Sequence, residues 1–127
     1  RVSAIYLCGI TSTPPHPEIH KTALGAEDSV TWYYEKNTVD VIDRLHKDGY
    51  RVFAIEQVEG SCLLIDLSLD EGKYAVVLGN EVNGVQQEVV DKCDACIEIP
   101  QYGTKHSLNV SVTAGLVIWD FFKQLFK

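Results

Sequence analysis

Two stretches of this chain carry residue types at spacings that suit ligand chemistry. The first is Val76 to Gly84, VVLGNEVNG. An apolar run ends in Leu78 and Gly79 follows at once, where the missing side chain lets a ligand approach the backbone. Asn80 and Glu81 then put polar groups at the tip of the run. Gly84 permits an unusual turn before the next helical pattern. The stretch has neither the GxGxxG of a dinucleotide fold nor the GK[ST] of a phosphate loop, and on its own a plain strand-to-helix turn is the favoured reading. The second is Ile97 to Gly115, IEIPQYGTKHSLNVSVTAG. Its Ser107 and Asn109 stand at the start of a helical pattern. Ser107 reads as an N-cap, whereas Asn109 is a mediocre helix former. Small residues Ser111, Thr113, Ala114 and Gly115 follow, so a polar ligand can pack close to the helix start. His106 beside Ser107 does not make a serine hydrolase, because no GxSxG elbow is present.

The four cysteines, Cys8, Cys62, Cys93 and Cys96, include one CxxC at 93–96. A structural zinc site wants a second CxxC or a His pair at ligand spacing. His16 and His20 are distant and flanked by prolines, so no metal is expected. A redox CxxC opens a helix after a strand; this one closes a helical pattern and leads into a strand. Buried free thiols in a reducing cytoplasm are the expected reading.

These residues must be held by regular elements. Residues 2–8 read as a buried strand, while the prolines of 11–17 exclude regular structure. A short helical turn is expected from Glu18 to Leu24, and 29–34 suits a strand or an extended loop. Asn37 caps a helix carrying Val39, Ile42 and Leu45, which Gly49 ends. Strands follow at 51–55 and 73–78, with a short apolar run at 62–67 and an acidic turn at 68–72. A helix at 86–93 and a strand at 95–99 precede the loop 100–106. The last helix, from Ser107 to about Phe126, carries Val110, Ala114, Val117, Ile118, Phe121, Phe122 and Leu125. So wide an apolar face packs against the core or a partner. Strands that are apolar runs alternating with helices imply an α/β fold, a mostly parallel sheet with helices on both faces. Ligands in such sheets sit beyond the carboxyl ends of the strands, here the loops 56–61, 79–84 and 100–106.

With 127 residues, 46% of them hydrophobic, the chain is one ordinary domain with enough apolar material for a core. No apolar run is long enough to cross a bilayer, and no membrane partner is expected. The net charge of −7 counts against a free-standing nucleic-acid binder. The sequence has no methionine and opens with Arg1 running straight into an apolar stretch. The expectation is therefore a chain that begins inside a domain.

LGNEVNG followed by IPQYGTKHSLNVSVTAG resembles the second and third motifs of the SPOUT class of RNA methyltransferases, in its TrmH/SpoU branch. Leu78, Gly79, Glu81, Gly84, Ile99, Pro100, Ser107, Leu108, Asn109, Val110 and Ser111 match in order and spacing. AIEQVEG at 54–60 is similar to the intermediate strand and loop of the branch. The resemblance covers nearly the whole chain and implies residues 1–127 as a single SPOUT domain with a deep C-terminal trefoil knot. It implies S-adenosyl-L-methionine as cofactor, lined by Ile55, Leu78, Gly79, Glu81, Gly84, Ile99, Pro100, Leu108 and Asn109. It implies transfer of a methyl group to a ribose 2′-hydroxyl of tRNA or rRNA. Asn109 and Ser107 would position substrate and catalytic groups, and Glu81 would hold the active-site loop or pair with a basic residue. It further implies a homodimer through the last helix. The first motif of the branch, Asn-x-Gly with a helical Arg, is missing here, along with the strand and helix that carry it. The alternative is a non-catalytic knotted dimer that binds cofactor or RNA, which the acidic charge favours.

Overall fold

The computed structural model describes residues 4–8, 31–79, 84–99 and 110–126. The chain falls into two compact units, residues 1–41 and 42–127. In the first, β1 (Ala4–Cys8) pairs in parallel with β2 (Thr31–Glu35), Tyr6 opposite Tyr33. The two rings stack with centroids 5.2 Å apart. The expectation of a buried strand at 2–8 is corrected here: Ile5 and Tyr6 are 45% and 37% exposed. The apolar letters of 2–8 specify an extended segment, but they do not say which of its faces is covered. β2 settles the open reading of 29–34 as a strand from Thr31 onward, while positions 29 and 30 lie outside the described residues. The helical turn expected at 18–24 lies outside the described residues.

Helix α1 (Thr38–Lys47) forms where its cap predicts. The Asn37 Oδ1 accepts from the Val39 N–H at 3.0 Å and the Asp40 N–H at 3.4 Å, satisfying two donors that the first turn leaves unpaired. Asp40 in the first turn and Arg44, His46 and Lys47 in the last complement the helix dipole. Gly49, at φ +87°, takes the left-handed conformation that ends the helix.

The second unit is built on four parallel strands in the order β4-β6-β3-β5. They are β3 (Tyr50–Ile55), β4 (Cys62–Leu63), β5 (Lys73–Leu78) and β6 (Ala95–Glu98). The central β3 is covered on both faces: Val52 and Ala54 on one side and Phe53 on the other are all buried. That is the layering expected of parallel strands with apolar runs. The apolar run at 62–67 does not continue as a strand. After two residues it turns into a single 3-10 turn, Leu64–Asp66, leaving Ile65 82% exposed.

Helix α2 (Gln87–Lys92) buries Val89. Helix α3 (Val110–Leu125) buries Val117 and brings Phe121 edge-on to Phe53 and Tyr74, at 6.2 and 5.9 Å. Its Gln124 also ties down an irregular segment: Oε1 accepts from the Leu69 N–H at 2.8 Å, and Nε2 donates to the Leu67 carbonyl at 3.1 Å. Of the apolar face expected on this helix, Val117 faces the core, while Ile118 and Phe122 are exposed. Among the described residues, no helix is long and apolar enough to cross a membrane.

Candidate functional site

The carboxyl ends of β3, β5 and β6 form one continuous edge. Ile55 stands opposite Leu78 on one side and Ile97 on the other. The Glu56 N–H extends the ladder by donating to the Ile97 carbonyl at 3.0 Å. Ile55, Leu78, Gly79 and Ile99 are half-buried there. The structure thus gathers five of the expected lining residues: Ile55, Leu78, Gly79, Gly84 and Ile99. Glu81, Pro100, Ser107, Leu108 and Asn109 lie outside the described residues.

The structure gives a reason for glycine at position 79 besides the one expected. A Cβ at this position would collide with the backbone of Gly84 and Val85. The missing side chain makes room for the chain's own return path at the tip of β5. Gly84, at φ +65°, takes the unusual turn expected of it. A Cβ on Gly84 would meet the Glu56 carboxylate. That carboxylate accepts the Val85 N–H at 2.8 Å through Oε2 and the Gln57 N–H at 3.3 Å through Oε1. Sequence reasoning passed over Glu56. The available signal was an ionisable residue directly after a buried strand, at the edge where ligands bind. Beside it, the Ser61 hydroxyl donates to Glu98 Oε1 at 2.8 Å, joining the segment before β4 to the end of β6.

The CxxC lies at the other end of β6, where the strand begins. Cys93 closes α2 and Cys96 lies within the strand; both are free and half-buried rather than fully buried, as are Cys8 and Cys62. Burial, with the neighbouring Cys96 and Asp94, pushes the Cys93 thiol up to about 11. Burial and the Glu56 charge raise Cys96 as well. Thiols held protonated are poor nucleophiles and poor metal ligands. Among the described residues, no three His, Cys, Asp or Glu side chains gather as they would around a metal ion.

The chain is similar to known proteins in both sequence and fold. The SpoU rRNA Methylase family matches residues 1–119, and the chain belongs to that family. A tRNA (guanosine(18)-2'-O)-methyltransferase, TARBP1 of Mus musculus, is 39% identical over 77 residues, which is 61% of this chain and 5% of that protein. A 23S rRNA (guanosine-2'-O-)-methyltransferase, RlmB of Xylella fastidiosa, is 31% identical over 124 residues, 97% of this chain and 49% of that protein. The crystal structure of an AdoMet-bound rRNA methyltransferase from Sinorhizobium meliloti superposes with a TM-score of 0.88 at 26% identity, over 98% of this chain and 47% of that one. The chain spans about half the length of its bacterial relative and a small fraction of the mouse one.

Proposed function

We propose that this chain is catalytic-domain sequence of an S-adenosyl-L-methionine-dependent RNA methyltransferase that modifies a ribose 2′-hydroxyl of tRNA or rRNA. The observation that carries the reading is the family match over residues 1–119. The edge at 55–56, 78–79 and 97–99 supports it. Half-buried aliphatic side chains beside the closely packed Gly79 and Gly84 suit an adenosine, held between apolar walls and main-chain groups. The cofactor, when bound, supplies an electrophilic methyl group. Ile55, Leu78, Gly79, Gly84 and Ile99 would hold it, with Glu81, Pro100, Leu108 and Asn109 completing the pocket.

A ribose hydroxyl is a weak nucleophile, and the protein's task is to place it and remove its proton. Ser107 and Asn109 would position the hydroxyl and the groups around it, and Glu81 would hold the active-site loop or pair with a basic residue. A C-terminal trefoil knot, an exception to the rule that chains do not thread their own loops, belongs to this reading through the family match. The exposed apolar stripe of α3 supports a homodimer through that helix. Four free thiols fit a reducing cytoplasm, and the chemistry needs no metal.

The test is a calorimetric titration of the chain with S-adenosylhomocysteine, with ATP as control. Binding near one site per chain, with ATP silent, is the expected result. ATP binding without S-adenosylhomocysteine binding would overturn the reading. Transfer of labelled methyl groups to tRNA or rRNA then identifies which of the two is the substrate.

A further inference from the structure

Glu56 has no part in the chemistry above, yet three features of the edge depend on it. Its two carboxylate oxygens each take a different main-chain N–H, one from Gln57 just beyond β3 and one from Val85 ahead of α2. Gly84 lacks the side chain that would fill the space the carboxylate occupies. Gly79 in turn lacks the side chain that would block Gly84 and Val85. The four residues interlock: the carboxylate fixes Val85, and Val85 with Gly84 closes over Gly79. The loop between positions 79 and 84 therefore leaves β5 at a tightly packed glycine and returns at a point held by a charge-assisted bond. Such bonds are roughly twice as strong as neutral ones.

We propose that Glu56 is a positioning residue, whose carboxylate fixes the return point of the 79–84 loop and through it the shape of the cofactor pocket. The role needs a carboxylate of this length. A glutamine offers one oxygen and one NH2 group, and the NH2 cannot accept a main-chain N–H. An aspartate is one methylene shorter and cannot span to Val85 without moving the turn. The proposal rests on the methyltransferase reading for its effect on cofactor, but its effect on the loop stands apart from that reading.

The test uses the full chain and its Glu56→Gln variant, with three measurements: S-adenosylhomocysteine affinity, thermal midpoint, and exchange of the Val85 amide by NMR. Loss of one charged hydrogen bond from a pocket wall is expected to weaken binding about tenfold or more. Val85 exchange should accelerate, while amides in the middle of β3 stay protected. Binding equal to wild type overturns the proposal. So does a lowered midpoint with unchanged affinity well below it, the signature of a purely structural residue. If the Gln variant does not fold, Glu56→Asp is read in the same way, with weakened binding expected of a folded protein. If wild type itself fails to bind, the methyltransferase reading falls, and Val85 exchange alone decides: acceleration in the variant upholds the loop role, and no change overturns it.

Discussion

Asp94 joins the turn after α2 to the start of the parallel sheet. Its N–H donates to the Val52 carbonyl at 2.7 Å, and its carboxylate accepts the Val52 N–H at 2.7 Å. The same Oδ2 takes the His46 Nε2 at 3.0 Å, bringing in the end of α1. Desolvation works to raise its pKa, but the Val52 N–H, His46 and the more distant Arg51 outweigh it. The carboxyl therefore ionises below its usual value of 3.8. A carboxyl with a lowered folded pKa contributes stability that is fully present above its unfolded pKa. That contribution is lost as the pH falls through the folded one. Asp94 should therefore help to hold the sheet at neutral pH and stop doing so in acid below its usual value. Urea unfolding at about pH 6 and about pH 3 checks this. Asp94→Asn should lower the neutral-pH midpoint and lose less than wild type on acidification. Equal acid losses in the two proteins would remove Asp94 from the account. The side chain is 37% exposed, so solvent screening keeps the effect modest.

At the scale of elements, the parts of the fold set by local chemistry were readable from the sequence. The Asn37 cap, the Gly49 stop and the apolar strand at 73–78 formed as the residues dictate. What the sequence did not reveal depends on neighbours distant in the chain. The run at 62–67 reads only as short and apolar, and its composition does not show that just Cys62 and Leu63 find a partner, in β6. Glu56 and Gln124 look like ordinary polar residues until the backbone of a remote segment arrives beside them. The two glycines of the site were legible, but the crowding at Gly79 was not. A pair of alanine variants separates conformational freedom from crowding. Gly60 sits at φ +83° with open space around its missing Cβ. Gly60→Ala should therefore cost only the left-handed strain, about 1–2 kcal/mol. Gly79→Ala must push main chain aside, which overpacking studies place at about 1–3 kcal/mol, with backbone clashes at the upper end or beyond. Denaturant unfolding of both should rank Gly79→Ala the worse. The reverse order would mean that the crossing at Gly79 is looser than the structure has it. It follows that a bulky residue at 79 tests the folding of the loop before it tests any ligand.

At the scale of the whole molecule, the question is what covers α3. Val117 and Phe121 turn towards the sheet, but Val112, Leu116, Trp119, Phe122 and Phe126 stay exposed at helical spacing. Trp119 stacks on Phe122 at 5.9 Å and Phe122 on Phe126 at 5.2 Å, so three rings form a ladder along the surface. Trp119 and Phe126 are 60% and 62% exposed. An aromatic stripe of this kind is what the centre of a protein interface is made of. A second copy of the chain, laying the same stripe against the first, would bury it in the manner of an isologous dimer. Truncating an aromatic anchor at the centre of an interface costs about 2 kcal/mol or more. Trp119→Ser should therefore raise the dimer dissociation constant by more than tenfold, read by light scattering across a dilution series. The charge adds a second signature. Each copy carries −7, so pairing brings like charges together. Salt screens that repulsion, and hydrophobic association survives screening. The wild-type dimer should therefore tighten as ionic strength rises. A dimer that loosened with salt would be held by ion pairs instead of the aromatic ladder. A wild-type chain that stayed monomeric at high concentration would leave the stripe to a different partner.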